Sequence, residues 1–195
     1  MMTLKTLTLI SVAALSLAAC GKKAENTTSI DNSTYANTTA MDGNTAGSSE
    51  ATPSSGGQAF ANMAAASDVF EIETSKLAAT NGASAAVKKF AAQMITAHEG
   101  STAKLKALTA TLSPVLTPDP ALSAEQQQKL ADLKAKQGEA FDTAYAAAQV
   151  AGHQQTLDTL KGYAATGDVP ELKTFATGLT PTVAAHLNMA KSLKS

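Results

Sequence analysis

No arginine and no tryptophan occur in this chain, and its one cysteine, Cys20, stands close to the N-terminus. From Gln58 onward 12 lysines face 12 acidic residues. With no basic excess and no guanidinium groups, the surface a phosphate backbone requires is missing, and nucleic acid is excluded as a partner. The absence of cysteine after position 20 removes a thiol nucleophile. Gly-x-Ser-x-Gly, a glycine-rich phosphate loop and His-Glu-x-x-His are absent too, so no catalytic residue is assigned. A general acid-base enzyme has only histidine and carboxylate in one chain to recommend it. The one long apolar run, Leu4 to Ala19, is too short and too early for a membrane span.

That run instead has the form of an export leader. Lys5 supplies the charged start, and Leu17-Ala18-Ala19-Cys20 followed by Gly21 reads as a lipobox. Residues 1–19 are therefore expected to be a lipoprotein signal peptide, with Cys20 carrying the lipid after cleavage. A free thiol would be an odd survivor in an oxidising compartment, and a lipidated one is no longer a thiol. No aspartate follows Cys20, which fits sorting to the outer membrane, facing the periplasm. Between Lys22 and Gly57, 21 of 36 residues are Ser, Thr, Asn or Gly. Residues 20–57 are accordingly expected to be a lipidated cysteine plus a disordered tether, holding the rest on the order of 30 Å from the lipid. The membrane is then a partner through the lipid on Cys20.

Residues 58–195 match one domain in length, and their patterning is helical. Ala is abundant, no period-two alternation is sustained, and apolar residues recur at three and four. The spacing predicts a helix from about Phe60 to Thr80 with Met63, Ala66, Phe70 and Leu77 inward, stopped by Asn81-Gly82. A second keeps Val87, Ala91, Met94, His98, Leu105, Leu108 and Leu112 on one stripe up to the prolines at 114, 118 and 120. Ser123 and Gln126 form a capping box that opens a short helix to about Lys136. Further helices cover about Glu139 to Thr166 and Pro170 to the end, with Pro181 a potential kink. Four amphipathic helices bury their stripes against one another, and Ser113 to Gly138 is long enough to run the length of the bundle. The expected fold is all-α, a ferritin-like four-helix bundle with a short extra helix in the crossover.

His98, His153 and His186 lie on the apolar stripes of three different helices, each near its middle, which puts them at similar depth. The first helix adds Glu71 and Glu73 near its own centre, and the pattern leaves open which faces inward. Three imidazoles and a carboxylate suit a transition metal such as zinc, copper or iron. A plainer reading, which the sequence favours, gives each histidine a core hydrogen bond to a neighbour such as Glu71, Asp142, Tyr145 or Gln149. A di-iron centre is disfavoured, since Ile95, Val150 and Val183 stand where Glu-x-x-His would need acids. Phe141, Asp142 and Tyr145 are read as core packing with a helix-start carboxylate, and Met63, Met94 and Met189 as core filler.

The phrases SDVFEIETSKLA (67–78), VKKFAAQMITAHEGSTAKLKAL (87–108), FDTAYAAAQVAGHQQTLDTL (141–160) and ELKTFATGLTPTVAAHLNMAKSL (171–193) resemble the family called domain of unknown function 4142. The resemblance implies an export or lipoprotein leader and a ferritin-like bundle. It also implies histidines at the positions of His98, His153 and His186, and a glutamate at that of Glu71. Many members are labelled outer membrane proteins, although a helical bundle does not span as a barrel does. The family implies no established activity, and Ala97 here replaces an acid found in many members. The main functional expectation is a non-enzymatic envelope lipoprotein presenting a helical bundle, with an interaction or stress-related role and an envelope protein as a possible partner. The alternative is a metal-binding or redox bundle using the Glu/His cluster.

Overall fold

A computed structural model describes residues 56–193. The leader at 1–19, Cys20 and nearly all of the expected tether lie outside the described residues. Among the described residues the chain forms five α-helices and no strand: α1 (Gly56–Asn81), α2 (Ala85–Thr109), α3 (Ala124–Lys134), α4 (Gly138–Thr166) and α5 (Pro170–Lys191). None is long and apolar enough to cross a membrane.

Helix α1 begins at Gly56, inside the stretch expected to be tether, because its first turn finds partners. The Gln58 side-chain amide donates to Thr117 O at 2.7 Å and to Asn62 Oδ1 at 2.6 Å, and Asn62 Oδ1 also accepts from Asp119 N–H. Two side chains one turn apart thus pin the long connection against α1. Ser123 and Gln126 form the expected reciprocal capping box at the start of α3. Gly138 takes φ +63° at the start of α4, a conformation that glycine adopts without the Cβ penalty of other residues. Helix α5 continues through Pro181.

The long helices pack as two hairpins, α1 on α2 and α4 on α5, joined by contacts of α1 with α4 and of α2 with α5. Helix α3 lies along α1 and α4. The Asn81 side-chain amide donates to Lys136 O, and Ala83 and Ser84 N–H donate to the Asp142 carboxylate. These bonds place the start of α4 beside the end of α1, so the connection after α2 travels the length of the helices before α4 begins.

Two apolar clusters result. One gathers Phe60, Ala61, Ala65, Leu105, Leu157, Leu160, Leu172, Ala176, Val183 and Leu187. The other gathers Ala78, Val87, Phe90, Ala91, Met94, Leu133, Phe141, Tyr145 and Ala190. Each fully buried large side chain contributes about 1.5–3 kcal/mol of transfer free energy. A buried polar layer draws on all four long helices, with Asp68, Glu71, Thr74 and Ser75 on α1, His98 on α2, Gln149 and His153 on α4 and His186 on α5; Ala66 and Phe70 are buried in the same span of α1, and His186 stands between Val183 and Leu187 of the first cluster. The bundle therefore combines two apolar clusters with a buried polar layer.

Candidate metal centre

The polar layer brings together residues that lie far apart in sequence. Ring centroids of His98, His153 and His186 are 5.5 to 5.9 Å apart. One possible ligand atom from each lies within 4.8 Å of the other two. All three side chains are buried.

Hydrogen bonds set the protonation of two rings. His98 Nδ1 donates to Asp68 Oδ1 at 2.8 Å, and Asp68 Oδ2 accepts from the Thr102 hydroxyl at 3.1 Å. His153 Nδ1 donates to Gln149 O, one turn back on α4, at 2.9 Å. A carboxylate and a carbonyl only accept, so in both rings Nδ1 carries a proton and Nε2 is the nitrogen left without a partner. Burial holds His153 and His186 down to about 4, which keeps both neutral and able to act as ligands at neutral pH. Glu71 Oε1 stands 3.8 Å from His153 Nδ1, and burial pushes this carboxyl up to about 7 although the His98 imidazole pulls it down.

Five buried side-chain atoms have no hydrogen-bond partner among the described residues: His98 Nε2, His153 Nε2, His186 Nδ1, Glu71 Oε2 and Gln149 Oε1. All five belong to this layer. An unpaired buried polar atom costs about 1–3 kcal/mol, and natural cores contain few of them. Acceptor-capable nitrogens and carboxylate oxygens gathered in one place are what a cation would satisfy, so the donor set fits a transition metal.

The sequence profile of the family described as Domain of unknown function (DUF4142) matches residues 42–193. The chain belongs to the DUF4142 family. No curated protein matches it. Among solved structures, this DUF4142 chain resembles CopM in the Cu(I)-bound form, with a TM-score of 0.57 and 18% identity over 69% of this chain and 91% of that one. It also resembles CopM in the Cu(II)-bound form, with a TM-score of 0.58, 17% identity and 69% and 92% covered, and CopM in the Ag-bound form, with a TM-score of 0.56 and 17% identity. At this identity the likeness speaks for the helical fold alone.

Within the DUF4142 domain the structure separates the two glutamates that the pattern left open. Glu71 is in the polar layer, whereas Glu73 is half-exposed and pairs with Lys76 at 2.9 Å on the outer face of α1. Glu73 is thereby removed from the candidate ligands. Of the expected inward stripe of α1, Ala66 and Phe70 are buried and Leu77 packs against the second cluster, whereas Met63 is 42% exposed; the buried face also takes in Ala61, Ala65, Asp68, Glu71, Ser75 and Ala78. Alanine occupies both sides of this helix, so apolar spacing could not select a face. Met94 is buried as core filler, and Met189 packs against the second cluster.

Sequence reasoning missed Asp68, which lies one turn before Glu71 on the same face; that spacing was the available signal. Asp142 and Tyr145 do not serve the histidines. Asp142 accepts from Ala83 and Ser84 N–H, capping α2 from the neighbouring α4, and Tyr145 shares a hydrogen bond of 2.7 Å with Ser75. Ser84, the residue before α2, makes no side-chain cap of its own.

Proposed function

We propose that this protein is a copper-binding helical bundle, with His98, His153 and His186 as ligands and Glu71 as the neighbouring carboxylate. The observation that carries the reading is the convergence of three buried imidazoles, each with one ring nitrogen lacking any partner. Asp68 and Gln149 O orient two of the rings through Nδ1, the outer support that imidazole ligands ordinarily have. Imidazole is a good ligand for copper, zinc and iron alike; copper is preferred because similar folds are titled as copper- and silver-bound forms. A bound ion would supply a buried positive charge, and copper would add one-electron redox chemistry. The protein's own residues hold the neutral ligand nitrogens in place and exclude water.

The finer architecture belongs to the same proposal: a ferritin-like four-helix bundle in which the α3-bearing connection is the crossover. So does its address, a lipid on Cys20 anchoring the chain to the outer membrane, facing the periplasm. This replaces an interaction or stress role as the main reading, since a purely structural polar core gives no reason for three unpaired imidazole nitrogens to face one another.

The test is metal analysis and calorimetric titration of the purified chain with copper. One ion per chain is expected, with proton release at mildly acidic pH and a gain in unfolding free energy of about 2.7 kcal/mol at a hundredfold excess over Kd. The His98→Ala, His153→Ala and His186→Ala triple variant should lose all three. No stoichiometric ion and an unchanged melting temperature would end the reading. The anchor is tested separately by detergent phase partition of the expressed chain, which Cys20→Ser should move to the aqueous phase.

A further inference from the structure

The three rings are 2 to 8% exposed, so an ion needs a way in. A cleft of about 550 Å³ opens between α1, α3 and α4 and is lined at its inner end by Glu71 and Gly152. Glu71 belongs to both places, lining the cleft while its Oε1 lies 3.8 Å from His153 Nδ1. Its Oε2 is buried without a partner. A Cβ on Gly152 would stand 2.8 Å from Glu71 Oε1, so the missing side chain is what leaves the carboxylate its place.

The walls of the cleft suit a soft cation. Met63, 42% exposed, offers a polarisable thioether on α1. Asp119 and Glu125 line the cleft with one lysine, Lys129, which Glu125 already holds at 2.7 Å. The local excess of negative charge attracts cations. Two other grooves, on the α4–α5 face, share no residue with the polar layer.

We propose that this cleft is the port through which copper reaches the three imidazoles, with Met63 as the first soft contact and Glu71 as the buried carboxylate at the end of the path, beside the His153 ring. The inference rests on the copper reading of the preceding subsection. A port alters rates and leaves the equilibrium alone, because obstructing a path slows arrival and departure equally.

The experiment follows copper(I) binding and release by anaerobic stopped flow in the full-length Cys20→Ala chain. A bulky maleimide is attached, after folding, to Met63→Cys at the cleft or to Val115→Cys, which is 62% exposed and outside the cleft. Labelling at 63 is expected to slow association and dissociation by about tenfold each with Kd nearly unchanged, while the label at 115 changes neither rate. Glu71→Gln, unlabelled, should also slow association. If the parent chain takes up copper but the label at 63 leaves its rates unchanged, or the label at 115 slows them equally, the port is overturned and the site stands. If the parent chain takes up no copper, both fall.

Discussion

Asp68 on α1 holds His98 on α2 through a 2.8 Å hydrogen bond from Nδ1, and both side chains are buried. The bond occupies Nδ1 and fixes the ring, leaving the unpartnered Nε2 of His98 as its possible ligand atom. Asp68→Asn keeps an acceptor and removes the charge. It should cut copper affinity by about 10–100-fold while changing apo stability little. Asp68→Ala also strands His98 Nδ1 and the Thr102 hydroxyl, and should cost about 1–3 kcal/mol in the apo protein. Competition titration and urea unfolding read the two effects; an unchanged affinity in Asp68→Asn would contradict this assignment.

His186 offers the sharpest separation of a binding role from a structural one. Its Nδ1 has no partner, so the wild-type side chain is a stability cost in the apo state. His186→Leu replaces it with an apolar side chain between Val183 and Leu187 of the first cluster. The apo melting temperature should stay level or rise, and the copper-dependent increase should largely disappear. A structural histidine would show the reverse, a loss of about 1–3 kcal/mol regardless of metal.

Much of this layer can be read by counting residues. His98 and His153 lie near the middles of α2 and α4 and His186 in the last third of α5, each some thirteen to sixteen residues from its helix start, so their similar depth follows from position along each helix. The capping box at Ser123 and the stripe of α2 were equally readable, because local partners and apolar spacing carry them. Helix α1 was not. Gly56-Gly57 looks like the end of a linker, and the helix begins there because Gln58 and Asn62 bond a connection some sixty residues away and the Asp168 carboxylate accepts from the Gly56 and Gly57 N–H groups. Its inner face carries Asp68, Glu71, Thr74 and Ser75, whose burial is set by partners on other helices. Met63 is exposed and Glu71 rather than Glu73 is buried, while Ala66 and Phe70 of the same helix face inward as expected.

Asp142 shows the same dependence on distant partners, and its contribution can be isolated from metal. The carboxylate is the acceptor for Ala83 and Ser84 N–H at the start of α2, the nearer at 2.7 Å. Asp142→Ala should destabilise the protein by about 0.5–2 kcal/mol, the usual range for a lost helix cap, with copper affinity preserved. Urea midpoints and a copper titration of the same sample check both halves. Loss of copper binding in a folded Asp142→Ala chain would show that the layer depends on this end of the bundle.

The apo protein should weaken on acidification with a slope that the polar layer determines. His153 and His186 sit near 4 when folded against an ordinary 6.5, so the stability each contributes is present above 6.5 and lost as pH falls toward 4. Glu71 runs the other way: raised from 4.5 to about 7, it contributes stability at low pH that is lost as pH rises through 7. The pair of His98 and Asp68 faces these groups across the layer. Below 6.5 two histidines outweigh one carboxylate, so unfolding takes up about one net proton and stability falls as the pH is lowered. Glu71→Gln removes the opposing group and should steepen the fall toward two protons. Urea midpoints between pH 7 and pH 5 in a chelator measure it; a profile that is flat or rises on acidification contradicts the balance.

Gly152 gives the last test, because two effects on its substitution oppose each other. Alanine in a helix interior is favoured over glycine by up to about 1 kcal/mol, and Gly162 and Gly178, with no atom near the site of a Cβ, should show that gain when changed to Ala. At Gly152 the new Cβ meets Glu71 Oε1 at 2.8 Å and must displace a buried carboxylate. Gly152→Ala should therefore be destabilising, unlike the other two, and should weaken copper binding by moving Glu71. In the Glu71→Ala background the clash is absent, and the same substitution should recover its helix gain. The double-mutant cycle isolates the coupling, expected at about 0.5–3 kcal/mol for residues in contact. Additive effects within error would mean that Glu71 does not occupy the space Gly152 leaves open, and the carboxylate would lose its assigned position between the cleft and His153.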